Sequence, residues 1–286
     1  MISSDTFLGI DLGGTNLDGG LVTANAVTGS RSERINANHS SAHMLDHLFR
    51  FTDQMMNEQV KAIGIGVPGL VQHGVVYDVV FIPSWKEVRL KEMMESRYNV
   101  PVFISNDANC FALGEYYFGK GMGQDSMIGL TIGTGLGCGL ILNGRLYAGS
   151  HGGAGEIGMV EYLDQCYEYY CSGRFFQNVY HSSGEAVFSW ARAGDPKALK
   201  MYEEMGKHLG HAIKTILFAY DVSLIVLGGS VRHAWEFFSE SMWDCVRSFP
   251  YKQAAENLKI EVSDLQNSAI LGAAALCIDG ALNKSN

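Results

Sequence analysis

Apolar positions in this chain fall into short unbroken runs closed by Gly-rich turns, interleaved with segments where apolar residues recur at helical spacing. Phe7 to Leu12 is such a run and predicts a strand. Leu17 to Val22 is a second, and the short Gly13-Gly14-Thr15-Asn16 separation predicts a hairpin. From Ser41 to Met56, Met44, Leu45, Leu48 and Phe51 share one face of a predicted helix. Ala62 to Val67 reads as a buried strand closed by Pro68-Gly69, Leu90 to Tyr98 as a helix, and Val102 to Ser105 as a strand. Asn106-Asp107 then opens a helix over Ala108 to Phe118.

The opening pattern returns at an offset of 120. Ile128 to Ile132 predicts a strand, Gly133-Thr134-Gly135 a turn, and Gly137 to Leu142 the returning strand. Gly9-Ile10-Asp11-Leu12-Gly13 falls on Gly129-Leu130-Thr131-Ile132-Gly133, and Gly19-Gly20-Leu21-Val22 on Gly139-Leu140-Ile141-Leu142. The repeat suggests two related halves, each opening with a Gly-rich loop. Helical stretches follow at Ser172 to Tyr180 and Pro196 to Tyr220, with Pro196 suited to a first helical turn. Leu224 to Leu227 is a buried strand ending in Gly228-Gly229-Ser230. The fold class expected is α/β, a duplicated mixed sheet with flanking helices. No Pro/Ser-rich linker separates the halves, and the composition turns Gly-rich at Gly119-Lys120-Gly121, where the boundary is expected.

Composition narrows the function. The chain has 286 residues, 47% apolar and 18% charged, enough for about two domains with a real core. The net charge of -9 argues against nucleic acid as a partner, since no basic surplus is there to meet phosphates. No run approaches the ~20 apolar residues of a membrane helix, and no Lys or Arg precedes Arg31 as in a secretory leader. Six scattered cysteines in a chain of this size read as reduced thiols of a cytoplasmic protein.

Four Gly-rich turns stand at the ends of predicted strands: Gly13-Gly14-Thr15, Gly66-Val67-Pro68-Gly69, Gly133-Thr134-Gly135-Leu136-Gly137 and Gly228-Gly229-Ser230. Consecutive amides in such turns form an anion cradle. The chain has neither the P-loop nor the dinucleotide spacing. Asp11, beside the first turn, could hold Mg²⁺ through water or cap its own turn. Asp107 could be a general base or the N-cap of the following helix, and its pattern does not separate the two. Glu156, in Gly155-Glu156-Ile157-Gly158, could bind ligand hydroxyls or simply be solvated, and His151 reads as structural or solvent-facing. Cys166 and Cys171 have no third ligand at metal spacing. The Tyr and Phe cluster from Tyr162 to Phe176 reads as packing or a dimer surface rather than a base-stacking platform.

Together these motifs resemble the ROK family of sugar kinases, within the actin and hexokinase-like ATPase superfamily. The resemblance runs from about residue 6 to about residue 280. Asp11-Leu12-Gly13-Gly14-Thr15-Asn16 looks like the first phosphate motif and Gly64 to Gly69 like the small-domain Gly-Pro-Gly turn. Asn106-Asp107-Ala108-Asn109 looks like the catalytic segment and Thr131 to Gly137 like the second phosphate motif. Gly155-Glu156-Ile157-Gly158 opens the sugar loop, and Ile225 to Ser230 is similar to the adenosine-side motif. The resemblance implies a two-lobed actin-like (ribonuclease H-like) fold. Residues 1–118 would form a small domain, with a C-terminal helix over 268–286 packing back on it, and 119–267 a large one. It implies ATP-dependent phosphorylation of a sugar hydroxyl, most often O6 of a hexose or a derivative such as an N-acylhexosamine.

By the same resemblance Asp107 would be the base, with Asn106, Glu156, Glu168 and Gly69 at the sugar. Asp11, Gly13, Gly14, Thr15, Asn16, Thr134, Gly135, Gly137, Gly228 and Gly229 would face ATP, and Asp11 would sit near Mg²⁺. The family suggests a homodimer, and polyphosphate stays open as the donor. Three departures stand out. Met159 occupies the family's His position, and Phe81 stands where an Asn usually touches the sugar, so a deoxy or acylated sugar gains ground over plain glucose. Of the family's Cys-rich segment only Cys166-Tyr167-Glu168 remains, so no structural zinc is expected. The first phosphate motif begins at residue 11, which argues against a DNA-binding repressor. A catalytically weak sugar-binding protein and a partner-driven ATPase compete with the kinase as readings.

Overall fold

The computed structural model describes residues 5–24, 26–36, 40–79 and 82–283. The chain divides into two compact units. Unit 1 is Met1–Gly123, Arg145–Ala154 and Leu265–Asn286, and unit 2 is Gln124–Gly144 and Gly155–Asp264. The return of Arg145–Ala154 to unit 1 has no counterpart in the sequence pattern. It is fixed by a close approach, since Gly152 sits on the backbone of Val71 with no room for a Cβ.

Unit 1 is built on a five-stranded sheet. Its strands are β1 (Thr6–Leu12), β2 (Asn16–Thr23), β3 (Ala26–Arg34), β4 (Val60–Val67) and β5 (Val102–Asn106), ordered β3-β2-β1-β4-β5. The β1, β2 and β3 pairings are antiparallel; β4 lies parallel to both β1 and β5. The period of two along β1 explains its burial. Leu8, Ile10 and Leu12 pack with Met44, Leu48 and Phe51 of α1 (Ser41–Asp53), whereas Phe7 joins Ile270, Leu271 and Ala274. Gly9 and Gly64 are register partners, and both lie against the backbone of the helix that begins at Ser268. With no Cβ at either position, that helix rests directly on the strands. Asn106 ends β5 and N-caps α2 (Asp107–Phe118), its side chain accepting from the Asn109 amide at 2.8 Å.

In unit 2 four strands repeat the plan: β6 (Met127–Ile132), β7 (Leu136–Leu142), β8 (Leu224–Gly228) and β9 (Lys259–Val262), in the order β7-β6-β8-β9. β6 and β7 are antiparallel, and β6, β8 and β9 parallel. Two further helices complete the scaffold used below. The short α3 (Tyr167–Cys171) follows the Gly155–Gly158 segment, and α4 (Pro196–Tyr220) has Pro196 in its first turn. Asp195 caps α4, accepting from the amides of Lys197 and Ala198 at 2.8 and 2.9 Å.

The internal repeat is therefore structural, with one change. Asp11 and Thr131 occupy matching places in β1 and β6, at the offset of 120. In the return strands Gly9 faces Gly20 whereas Gly129 faces Gly139, an offset of 119. The first loop holds one residue more between its last paired positions, Leu12 and Leu17, than the second does between Ile132 and Leu136. Among the described residues no helix is long and apolar enough to cross a membrane.

Candidate functional site

In unit 1 the strands end on a pair of carboxylates. Asp11 lies one residue before the end of β1, opposite Gly66 of β4 and Asp18 of β2. A Cβ on Gly66 would stand 3.3 Å from Asp11 Oδ1 and 3.1 Å from Cys110 Sγ, so the bare glycine leaves the space the carboxylate fills. Burial, then the charge of Asp107, then that of Asp18, push the Asp11 carboxyl up to about 7. Asp107 opens α2, and its Oδ1 accepts from the Ala108 amide at 2.8 Å. Its carboxyl is raised by burial among the surrounding protein atoms, although that amide bond opposes the shift, and it keeps access to solvent. Cys110 is fully enclosed behind the pair. Burial and the two carboxylates hold its thiol far above the usual range, so it is an inert packing group.

The first loop hangs from the same strands. The Gly13 amide donates to the Asn16 carbonyl at 2.9 Å, and the Ile35 amide donates to the Thr15 carbonyl at 2.9 Å. Among the described residues the Gly14 and Thr15 amides carry no partner. Gly69 closes the turn after β4, its amide donating to the Val67 carbonyl at 3.0 Å, with Val79 beside it. Phe81 lies outside the described residues.

Unit 2 carries the second loop and a cavity. The Gly133 amide donates to the Gly135 carbonyl at 3.0 Å, and the Gly173 amide holds the Gly133 carbonyl at 2.7 Å. Glu168 of α3 accepts from the Leu136 amide through Oε2 at 3.0 Å, while Arg174 Nη1 lies 4.0 Å from its Oε1. The turn after Glu156, Ile157–Met159, is seated on this group. A Cβ on Gly158 would lie 2.5 Å from the Leu136 carbonyl and 3.5 Å from Glu168 Cβ. Glu156 itself is exposed, and so is Met159 at 64%. Beside the loop opens a cavity of about 600 Å³, lined by Thr134, Arg174, Phe176, Phe188, Tyr202 and Ser230 among others. Gly228 ends β8 opposite Thr131 and Gly229 follows at φ +79°, pressed on the Ile132 backbone, where only glycine fits.

Within unit 1 the fold thus gathers Asp11, Gly13, Gly14, Thr15, Asn16, Gly66 and Asp107 around the ends of β1, β4 and β5. Within unit 2 it gathers Thr134, Gly135, Glu168, Gly228 and Gly229 around the ends of β6 and β8. Gly137 lies inside β7, as the strand expected from Gly137 to Leu142 requires, and its carbonyl accepts from Thr131 Oγ1 at 3.4 Å. Phe176 is buried against Tyr202 and also lines the cavity beside the loop, while Tyr162 and Tyr167 stack at 4.5 Å in the packing. Gly173 and Arg174 are given no site role by the sequence pattern. A cation and a glycine shortly after a ligand-type Glu are the signal that could have found them. Among the described residues no three His, Cys, Asp or Glu side chains converge as a metal centre.

A glucokinase of Thermotoga maritima is 28% identical over 306 residues, covering 94% of this chain and 96% of its own. A xylose repressor of Bacillus subtilis is 31% identical over 257 residues, covering 82% of this chain, which spans 66% of the repressor's length. The crystal structure of a ROK family glucokinase from Streptomyces griseus, in complex with glucose and AMPPNP, superposes with a TM-score of 0.77 at 26% identity, covering 95% of this chain and 98% of that one. The sequence pattern of the ROK family matches residues 7–280, nearly the whole chain, and with it the chain belongs to the ROK family.

Proposed function

We propose that this protein transfers the terminal phosphoryl group of ATP to a sugar hydroxyl, O6 of a hexose or of a hexose derivative such as an N-acylhexosamine. The observation that carries the reading is the carboxylate pair of unit 1. Asp107 sits at a helix start with solvent access and a raised pKa, and a base whose pKa approaches the working pH is the more effective one. In this reading Asp107 accepts the hydroxyl proton as that oxygen attacks the phosphorus. Asn106 spends Oδ1 on capping α2, which leaves its NH₂ to donate to the sugar. The exposed Glu156 carboxylate and Glu168 Oε1 accept from sugar hydroxyls.

The nucleotide side fits the same reading. The amides of Gly14, Thr15, Thr134 and Gly135, unpartnered among the described residues, suit phosphate oxygens, and the cavity beside Thr134 has the size and apolar walls for a nucleoside. Asp11 fits Mg²⁺, a hard cation that needs only one or two carboxylates when phosphates and waters complete its shell. Burial raises Asp11 most, and the repulsion from Asp107 and Asp18 that adds to it is what a cation would relieve. Bound there, Mg²⁺ would neutralise charge on the phosphates. Six free thiols suit a cytoplasmic setting.

One observation favours a second reading: the 31% identical relative is a repressor, and this chain could likewise bind a sugar without phosphorylating it. ADP release from Mg-ATP across hexoses, N-acylhexosamines and deoxy sugars separates the two, with Asp107→Asn as control. One sugar that stimulates turnover, abolished in the variant, supports the kinase. Sugar binding with no turnover for any sugar supports the regulator.

A further inference from the structure

Resting on the nucleotide-binding reading above, we infer that Glu168 is a positioning residue for the phosphate loop: one carboxylate oxygen holds the loop in its anion-binding shape while the other is left for the sugar. Four contacts within unit 2 carry this. The Leu136 amide donates to Oε2 at 3.0 Å. A Cβ on Gly135 would stand 2.6 Å from that same oxygen, so the loop residue is bare where the carboxylate lies. The Gly173 amide, two residues beyond α3, holds the Gly133 carbonyl at 2.7 Å. Arg174 Nη1, 4.0 Å from Oε1, offsets the carboxylate's charge without closing a hydrogen bond.

The segment 168–173 therefore pins the loop at Gly133 and at Leu136, on either side of Thr134 and Gly135, whose amides carry no partner among the described residues. A cradle fixed at both ends is pre-organised, so an anion does not have to order it. The sign of the charge is informative as well. A carboxylate this close to an anion site works against phosphate binding unless it does something for the loop, and the Leu136 bond is what it does. Because the second oxygen remains available, sugar and phosphate ends of the reaction share one side chain, and each ligand steadies the group the other needs.

The test is AMPPNP binding with Mg²⁺ and no sugar, by calorimetry, for wild type, Glu168→Ala and Glu168→Gln. Losing a charge-assisted hydrogen bond and the loop order it maintains is expected to weaken AMPPNP about tenfold or more in Glu168→Ala. Glu168→Gln keeps a carbonyl oxygen for the Leu136 amide and is expected to restore affinity to within about threefold. Hydrogen exchange at the Leu136 amide supplies a readout that needs no ligand: faster in Glu168→Ala, restored in Glu168→Gln. If Glu168→Ala is unfolded, Gly135→Ala displaces the carboxylate while leaving Glu168 in place and is expected to show the same loss. Wild-type affinity and exchange in Glu168→Ala would overturn the assignment and leave Glu168 a sugar ligand only. A wild-type protein that binds no AMPPNP would overturn the nucleotide reading instead, while the exchange data still judge the loop.

Discussion

Asp11 and Thr131 hold the same place in two sheets of the same plan. Each lies one residue before the end of a strand. Each faces a glycine of the parallel neighbour, Gly66 or Gly228, and each is half-buried. One is a carboxylate pushed up to about 7 by burial and by Asp107; the other is a hydroxyl with a 3.4 Å contact to the Gly137 carbonyl. The loops beside them differ to match. Each loop has its own internal bond, Gly13 to Asn16 and Gly133 to Gly135; beyond that the unit 1 loop is tied by a backbone amide, that of Ile35, whereas the unit 2 loop is held by the Glu168 carboxylate and the Gly173 amide. A duplicated scaffold thus supplies two Gly-rich turns, and under the proposed function a single side chain at each strand end would separate an acid–base and cation half from a half that only needs shape.

The largest expected effect breaks the unit 1 half. Asp107→Asn keeps the helix start but cannot accept a proton, and turnover with the best sugar is expected to fall about 10²–10⁴-fold. Sugar affinity measured by calorimetry should stay within a few-fold. A variant with near wild-type turnover would remove the base from the reading.

Asp11→Asn sharpens the comparison through pH. In the folded chain Asp11 keeps its proton to about pH 7, while an unfolded carboxyl releases it near 3.8. A folded pKa that is raised gives stability that is full below the unfolded value and lost as pH climbs through the folded one. Wild-type stability should therefore decline between about pH 4 and pH 7 and level off above, by up to a few kcal/mol. Asp11→Asn should remove that slope, melt higher than wild type at pH 8, and lose Mg²⁺-dependent turnover. Chemical denaturation across pH checks this, and equal slopes for the two proteins would place the shift elsewhere.

These residues also mark how far the sequence can be read. The paired hairpins are legible because apolar runs flank Gly-rich turns. β3 is not, because Ala26–Arg34 is exposed along most of its length and shows no buried alternation. The helix Trp235–Arg247 escapes the sequence reading although Phe238, Met242 and Val246 recur at four-residue spacing on its buried face. Asp11 and Asp107 can be picked out as carboxylates beside turns. Their mutual effect cannot, since it depends on three parallel strands bringing residues 11, 66 and 107 to one end. The Leu136 to Glu168 bond spans 32 residues, and Gly135 is bare for a side-chain neighbour rather than for its own turn, which no local pattern records.

Gly66→Ala probes the fit around Asp11 more gently. Its Cβ would crowd Asp11 Oδ1 at 3.3 Å and Cys110 Sγ at 3.1 Å, both tighter than ordinary contact. Crowding a packed site in this way costs about 1–3 kcal/mol, read as a lower urea midpoint at unchanged slope. Turnover should fall with it, because Asp11 must turn aside. A fully stable, fully active variant would mean the carboxylate has slack the structure does not suggest.

Thr131→Val is the smallest change and the one that tests the other half. It removes a hydroxyl whose bond to Gly137 is longer than a good O–H···O contact, and it keeps both the β-branch and the volume. Stability should change by about 0.5 kcal/mol or less, the low end for a single hydrogen bond. If unit 2 contributes loop shape held by Glu168 and Gly173, AMPPNP affinity should also survive nearly intact. If the strand-end side chain matters in both halves, Thr131→Val will weaken AMPPNP severalfold with no matching loss of stability. The two sheet ends would then serve the same purpose with different groups, and the division between a carboxylate half and a shape half would have to be given up.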